Sequence, residues 1–337
     1  MARLILLGGI MNIDFKLSVV VVTKNEEKCI SSCLDSIFAQ QFHSGDYEVI
    51  LVDAGSCDRT QEIAREYPLK LVVDNYGTLG HQRNMGVRLA RGKYVAFIDA
   101  DCYADTQWLS RQVDLLDKSP HSVVAVTGPN LIMDNDPPVA KTIAYMQQTL
   151  LGSGGSPQSY LFDHVEYVTS APNCNAIYRR KVLLNYLYDN GFSYGEDAEL
   201  NYRLRRDGYK FLYNPAAIVW HHRVATTRAL GRKMFFWGFA MAKISRKHKR
   251  LIRWFVCLPP ALVIYLVTLM PMVLSNYFIS WYFFFLVAYV LVICTVIVQV
   301  LWRQRNVYAL RTAYLLPVQY ISYGLGMLLG LCARGSL

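Results

Sequence analysis

The stretch "YVAFIDADCYAD", Tyr94 to Asp105, decides the fold. From Tyr94 through Ile98 every residue is apolar or aromatic, which predicts a central strand covered on both faces rather than one with a face open to water. The run ends in two acids, Asp99 and Asp101, with only Ala100 between them. Side chains two apart on an extended strand point the same way, so both carboxylates fall on one side of the strand's end. Hard oxygen ligands at that spacing suit Mg²⁺ or Mn²⁺, ions that keep several waters and bridge to phosphates. Taken alone, such a triplet is a weak signal; at the end of a buried strand it gains specificity.

Upstream, short β-branched runs alternate with helical ones. "LSVVVVT" (17 to 23) predicts a strand, and "EEKCISSCLDSIFAQ" places Ile30, Cys33, Leu34 and Ile37 at helical spacing. "YEVILVDAG", "LKLVVDN" and "YVAFIDA" read as three more strands, separated by the helices "TQEIAREY" and "LGHQRNMGVRLA". This βα rhythm predicts a parallel, doubly wound sheet, in which ligands sit beyond the carboxyl ends of the strands. Asp53, Asp99 and Asp101 all lie at those ends.

Downstream, "SVVAVTGP" (122 to 129) predicts a strand, and "GSGGSP" (152 to 157) a loop. "EDAELNYRLRRDGY" (196 to 209) predicts a helix with acids in its first turn and arginines after them, closed by Gly208. "FLYNPAAIVWHH" then supplies one or two strands ending in His221 and His222.

After Arg228 the character changes. Residues 228 to 253 mix Met234, Phe235, Phe236, Trp237 and Phe239 with basic residues on both sides, which predicts a helix lying at a lipid interface. Three apolar stretches follow, roughly Trp254 to Leu274, Tyr277 to Leu301 and Ala309 to Leu331, each about 20 residues or more, the length needed to cross a hydrocarbon core. They account for a hydrophobic content of 53%, high for a soluble chain of 337 residues. Arg246, Lys247, Lys249, Arg250 and Arg253 precede the first stretch, and Arg303, Arg305 and Arg311 lie between the second and third, whereas "SNY" between the first two carries no charge. By the positive-inside rule the region before the spans is cytosolic, and three spans leave the C-terminus outside.

The domain reading is therefore an N-terminal extension (1 to 16), an α/β domain (17 to 227), a basic interface helix (228 to 253) and a membrane region (254 to 333). "LILLGGI" after Arg3 is too short for a secretory signal and lacks its cleavage pattern. The net charge of +10 is compatible with nucleic acid, an anionic membrane or anionic substrates, but its clustering beside the apolar stretches assigns it to the bilayer and leaves nothing that needs nucleic acid. The eight cysteines form no CxxC pair and no zinc-type spacing, which fits a reducing compartment.

Taken together the strand ends carry a pattern: Thr23, Asn25 and Glu26 after the first strand, Asp53 through Thr60 after the second, Arg83, Asn84 and Gly86 on the third helix, Asp99 and Asp101, and later Glu196 with Asp197. In order and spacing, over about residues 17 to 223, this resembles the family 2 glycosyltransferases, which share the GT-A fold, a doubly wound, Rossmann-like mixed sheet. The resemblance implies a nucleotide-sugar pocket lined by Thr23, Asn25 and Glu26, with Asp53 on the base, Arg83 near the diphosphate or the edge of the base pocket, and Asp99 with Ala100 at the ribose. It also implies a divalent cation, Mn²⁺ or Mg²⁺, on Asp101 and Asp99, completed by His221 or His222, of which His222 is preferred.

Asp197 is the expected catalytic base, with Glu196 beside it. Inverting sugar transfer needs one group to take the acceptor hydroxyl's proton as the nucleoside diphosphate leaves, and a carboxylate at a helix start meets that need. The bland alternative is that both acids only complement the helix dipole. Arg203, Arg205 and Arg206 are candidates to assist the leaving phosphates, or else form an exposed helix face. Two departures from the family pattern stand out: Ala54 replaces the usual second acid after Val52–Asp53, and the processive QxxRW motif is absent after His222.

The expected activity is transfer of one sugar from a UDP- or GDP-sugar donor to a hydroxyl of a polyprenyl-linked saccharide at the cytosolic membrane face. The alternatives are a polyprenyl-phosphate sugar synthase and a membrane-anchored protein that only binds nucleotide sugars. A dinucleotide oxidoreductase is excluded by the lack of glycine in "VVTKNEEKCI" after the first strand.

Overall fold

The structure, a computed structural model, describes residues 15–75, 77–156, 159, 161–249, 254–275 and 279–333, so most of the N-terminal extension lies outside the described residues. Among the described residues the strands run in the order β1 (Leu17–Thr23), β2 (Tyr47–Asp53), β3 (Lys70–Val73), β4 (Tyr94–Asp99), β5 (Cys102–Ala104), β6 (Val123–Thr127), β7 (Asn130–Leu131), β8 (Glu166–Val168), β9 (Asn175–Arg179), β10 (Lys210–Tyr213) and β11 (Val219–His221). The helices of the α/β region are α1 (Ile30–Phe38), α2 (Thr60–Ala64), α3 (Leu79–Leu89), α4 (Trp108–Lys118), α5 (Pro138–Gln147), α6 (Leu150–Ser153), α7 (Arg180–Tyr186) and α8 (Glu196–Arg206). Beyond them lie α9 (Thr227–Lys247), α10 (Leu258–Ser275), α11 (Ile279–Gln304) and α12 (Thr312–Cys332).

Alternation along the strands builds two cores. Val19 and Val21 of β1, with Leu51 of β2 and Ala96 of β4, pack against Ile30, Leu34 and Ile37 of α1 and Trp108 of α4. Val20, Ile50, Val95 and Phe97 point to the other face, where Val87 of α3, Leu183 of α7 and Leu200 of α8 cover them. Burial on both sides is why these strands read as unbroken apolar runs.

The main sheet has the order β3-β2-β1-β4-β9-β6-β10-β8. Strands β1 to β4 pair in parallel as expected. β9 runs antiparallel to both β4 and β6, so the sheet is mixed. A second sheet, β5-β11-β7, lies beyond the end of β4. Register sets the functional edge: Thr23 of β1 stands opposite Asp53 of β2, and Val22 opposite Asp99 of β4.

Gly152 and Ser153, expected in a loop, close α6 instead, which ends on the left-handed Gly154 (φ 65°). That helix is docked on α12, where Gln319 Nε2 donates to Gly152 O at 2.6 Å.

Of the three expected spans, two are long and apolar enough to cross a membrane among the described residues: Tyr282–Gln304, and Val307–Cys332, a short 3-10 turn continued by α12. The first expected span, Trp254 to Leu274, is a 3-10 turn (Trp254–Cys257) followed by α10, which has Pro271 in its interior. Within it Leu258–Leu269 forms a shorter apolar helix, so a third crossing is not shown among the described residues. The expected interface helix is α9, residues 250 to 253 lying outside the described residues. Rather than standing alone, α9 packs along α12 through glycines: a Cβ on Gly326 would overlap Phe235 O, and one on Gly238 would overlap Tyr323 O. Small residues at such a crossing let two backbones approach closely.

Candidate functional site

The carboxyl edge of the main sheet opens into a pocket of about 710 Å³. One wall comes from the end of β1 (Thr23, Lys24, Glu26), another from α3 (Gln82, Arg83), the floor from Asp99, Ala100 and Asp101, and the far side from Tyr194 through Asp197, with His221 and part of α9. Thr23 lines the pocket, and its buried Oγ1 has no hydrogen-bond partner among the described residues. Glu26 stands among carboxylates. Partial burial, then the charges of Asp101, Asp58 and Asp99, push its carboxyl up to about 7.

Two residues expected in the pocket do not line it. Asn25, in the left-handed region at φ 56°, accepts from Cys57 N at 2.9 Å and ties the end of β1 to the loop after β2. The Asp53 carboxylate, expected on a base, is fully buried and accepts from Ser56 N (2.9 Å), Ser56 Oγ (2.5 Å) and Gln61 Nε2 (2.6 Å). These bonds tie the carboxylate to the loop, from which Ala54 reaches the pocket.

Arg83 is 5% exposed and bridges two acids: Nη1 donates to Glu196 Oε1, and Nη2 donates to Asp99 Oδ1 at 3.1 Å. Glu196, expected beside Asp197 as a catalytic residue, lines the pocket paired with Arg83, which also contacts Asp99. The three arginines of α8 are turned away from the pocket. Arg203 is bonded to Glu199 and to the carbonyls of Tyr186 and Leu187, Arg205 Nη1 donates to Thr169 O, and Arg206 pairs with Asp207.

Asp197 remains facing the pocket. Gly195 starts α8 with φ 72°, and a Cβ there would press on Ile244 Cδ1 of α9, so this turn depends on glycine. Asp197 Oδ1 accepts from Ala198 N at 2.7 Å. Burial raises its carboxyl above the ordinary value, against the pull of Arg83 and with a further push from Asp99. A carboxyl so raised is a stronger base once ionised.

The two histidines part company. β11 pairs antiparallel with β5 so that His221 stands opposite Cys102, and its Nε2 lies 3.3 Å from Asp101 Oδ2. Neighbouring residues on a strand point to opposite faces. The His222 ring accordingly goes the other way, with Nδ1 2.7 Å from an oxygen of the buried Asp136, so His221, rather than the preferred His222, stands beside Asp101. Burial opposes the charged form of Asp101, but the His221 ring and its hydrogen bond outweigh this and hold the carboxyl well below the usual range, with Lys233 adding to the effect. Asp101, Cys102 and His221 bring ligand atoms within 4.8 Å of one another. Burial keeps the Cys102 thiol protonated, which leaves an oxygen and a nitrogen donor, with Asp99 close by. Such a set fits Mn²⁺ or Mg²⁺. The buried His221 Nδ1 has no partner among the described residues, which leaves the Asp101 contact to orient the ring.

Sequence reading missed the contribution of α9. Ala229, Arg232, Lys233 and Trp237 line the pocket on one face of that helix, at spacings of three, four and eight residues. Tyr194 stacks on Phe236 of the same helix, ring centroids 5.5 Å apart at 14°. The periodicity was available, but the expected lipid interface absorbed it.

A mixed sheet whose carboxyl edge joins a paired-aspartate strand end, a histidine from a later strand and a helix-start carboxylate defines a GT-A glycosyltransferase pocket. The model of glycosyl transferase family 2 matches residues 18–187, half of the chain, and the chain belongs to that family. It is therefore a glycosyltransferase. A curated relative from Methanococcus voltae, dolichyl N-acetyl-alpha-D-glucosaminyl phosphate 3-beta-D-2,3-diacetamido-2,3-dideoxy-beta-D-glucuronosyltransferase, is 25% identical over 251 residues, 71% of this chain and 76% of that one. Glycosyltransferase AglE of Haloferax volcanii is 34% identical over 124 residues, 35% of this chain and 38% of that one, so the chain spans well under half of this relative. Among solved structures, mannosyltransferase PcManGT from Pyrobaculum calidifontis, in complex with GDP-Man and Mn²⁺, shares the fold with a TM-score of 0.61 at 18% identity, covering 89% of this chain and 86% of that one.

Proposed function

We propose that the chain is a membrane-anchored, inverting glycosyltransferase that moves one sugar from a nucleoside-diphosphate sugar to a hydroxyl of a polyprenyl-linked saccharide. The observation that carries this reading is Asp197, a carboxylate of raised basicity lining the same pocket as Asp99 and Asp101.

In this reading Asp197 takes the proton of the acceptor hydroxyl. The acceptor oxygen forms its bond to the sugar's anomeric carbon as the bond from that carbon to the diphosphate oxygen breaks, and the nucleoside diphosphate departs with the electron pair. Thr23 and Glu26 line the nucleoside end, and Arg83 fixes Asp99 at the ribose. Asp101 and His221, with Asp99 beside them, are the residues to hold Mn²⁺ or Mg²⁺, which when bound neutralises charge developing on the leaving diphosphate.

The acceptor assignment rests on two supports. The Methanococcus voltae relative is named for a dolichyl-linked acceptor. The pocket's outer wall, α9, is packed on α12, within one of the two helices long enough to cross a membrane, so a saccharide held at the bilayer surface meets the site from that side. The basic residues before α10 and after α11 are consistent with a cytosolic catalytic region.

The test is to incubate purified full chain in detergent with UDP- and GDP-sugars, with Mn²⁺ or EDTA, adding either polyprenyl phosphate or a lipid-linked saccharide extract, and to follow lipid masses. The expected result is a metal-dependent gain of one sugar mass on the lipid-linked saccharide. A gain only on bare polyprenyl phosphate would overturn the acceptor assignment in favour of a polyprenyl-phosphate sugar synthase, and no gain on any lipid with any donor would overturn the proposal.

A further inference from the structure

The first turn of α9 is charged against its own dipole. The first turn of a helix favours acids and disfavours cations. α8 obeys this, with Glu196, Asp197 and Glu199 at its start and Arg203, Arg205 and Arg206 at its end. α9 has no acid in its first turn and carries Arg228 there, with Arg232 and Lys233 one turn further on. Both of the latter line the pocket.

Neither Arg232 nor Lys233 forms a salt bridge with a carboxylate among the described residues; the Arg232 guanidinium lies over the Phe236 ring at 5.9 Å. By contrast, Lys247 at the other end of the same helix is engaged by Asp189 and Glu199. Both cations line the pocket, Arg232 without an acid partner among the described residues and Lys233 only within the charge field of Asp101, so an anion supplied by a ligand can engage them. Gly238 and the α12 glycines hold the helix close to α12, so both cations stay at the pocket.

We propose that Arg232 and Lys233 form a phosphate-binding wall of the pocket that holds a phosphate ester during transfer. Two sources offer this chemistry, the diphosphate of the nucleotide donor and the phosphate that joins a polyprenyl acceptor to its sugar. The inference rests on the glycosyltransferase reading of the pocket, yet its binding arm needs no turnover.

In that arm, the full chain in detergent with EDTA is titrated with UDP, GDP, uridine and inorganic pyrophosphate. If the wall serves the donor, the Arg232→Ala/Lys233→Ala double variant binds the diphosphates more weakly by about tenfold or more while uridine is unchanged, the loss of a charge-assisted hydrogen bond. In the second arm, KM for a lipid-linked saccharide acceptor is measured at saturating donor. If the wall serves the acceptor, that KM rises by about tenfold while donor affinity holds. Arg232→Lys should restore part of the effect in whichever arm responds. Thermal unfolding of the variants checks that the fold is kept, as expected for an exposed Arg232 and a half-buried Lys233. Diphosphate, pyrophosphate and acceptor constants all unchanged would overturn the phosphate wall. A wild-type chain that binds diphosphates through these residues but transfers no sugar would overturn the proposed activity and leave the wall standing.

Discussion

His221 Nε2 lies 3.3 Å from Asp101 Oδ2, while the adjacent His222 turns its Nδ1 to Asp136. The pair therefore separates by function. His221→Ala should raise the Mn²⁺ concentration needed for half-maximal activity by roughly 10- to 100-fold, the scale of disturbing a metal site's supporting residues. His222→Ala should leave that concentration alone and instead lower stability by about 1–3 kcal/mol, because Asp136 loses a buried hydrogen bond. Metal titrations of activity and unfolding curves of both variants read the two effects; an equal metal response from both histidines would contradict the division.

Asp197→Asn should reduce transfer by roughly 10²- to 10⁴-fold, the usual worth of a general base, with UDP-sugar binding unchanged. Burial and Asp99 raise the Asp197 carboxyl above its ordinary 3.8 against the pull of Arg83, and the base works only when ionised. The acidic limb of the kcat profile should therefore lie above the pH at which an ordinary aspartate titrates, and should vanish from the residual activity of the asparagine variant. Full turnover by that variant would remove Asp197 from the role.

Glu26→Gln tests the crowding of carboxylates. Burial and the charges of Asp101, Asp58 and Asp99 raise the Glu26 carboxyl from 4.5 to about 7. Between those values the folded protein keeps a proton that the unfolded chain has released, so stability falls as pH rises through this window. In EDTA the glutamine variant should match the parent near pH 4 and melt at higher temperature near pH 8. A melting difference that does not change with pH would show that Glu26 is not strained by its neighbours.

Gly326→Ala should destabilise the α9–α12 pair by about 1–3 kcal/mol, the cost of overpacking, because its new methyl meets Phe235 O. Since Phe235 lies on α9 between Lys233 and Trp237, transfer should slow as the pocket wall shifts. Unfolding in detergent and transfer rates measure the two consequences; neither changing would show that the contact is easily relieved.

The sequence by itself determined the βα rhythm through β4, the paired aspartates at its end and the acid-led start of α8. Each of these is written in local periodicity or in a short motif, and local patterns survive without knowledge of the fold. Only the tertiary structure decided the rest. The choice of His221 comes from pairing β11 with β5, strands separated by more than a hundred residues. Asp53 turns inward because the loop after β2 closes on its carboxylate, and Glu196 is taken by Arg83 from a helix 113 positions earlier. Most consequential is α9: its mixture of aromatic and basic residues suits a lipid surface equally well, and only packing on α12 turns Arg232, Lys233 and Trp237 toward the pocket. An amphipathic pattern tells which residues share a face, whereas what that face meets is set by contacts distant in the chain.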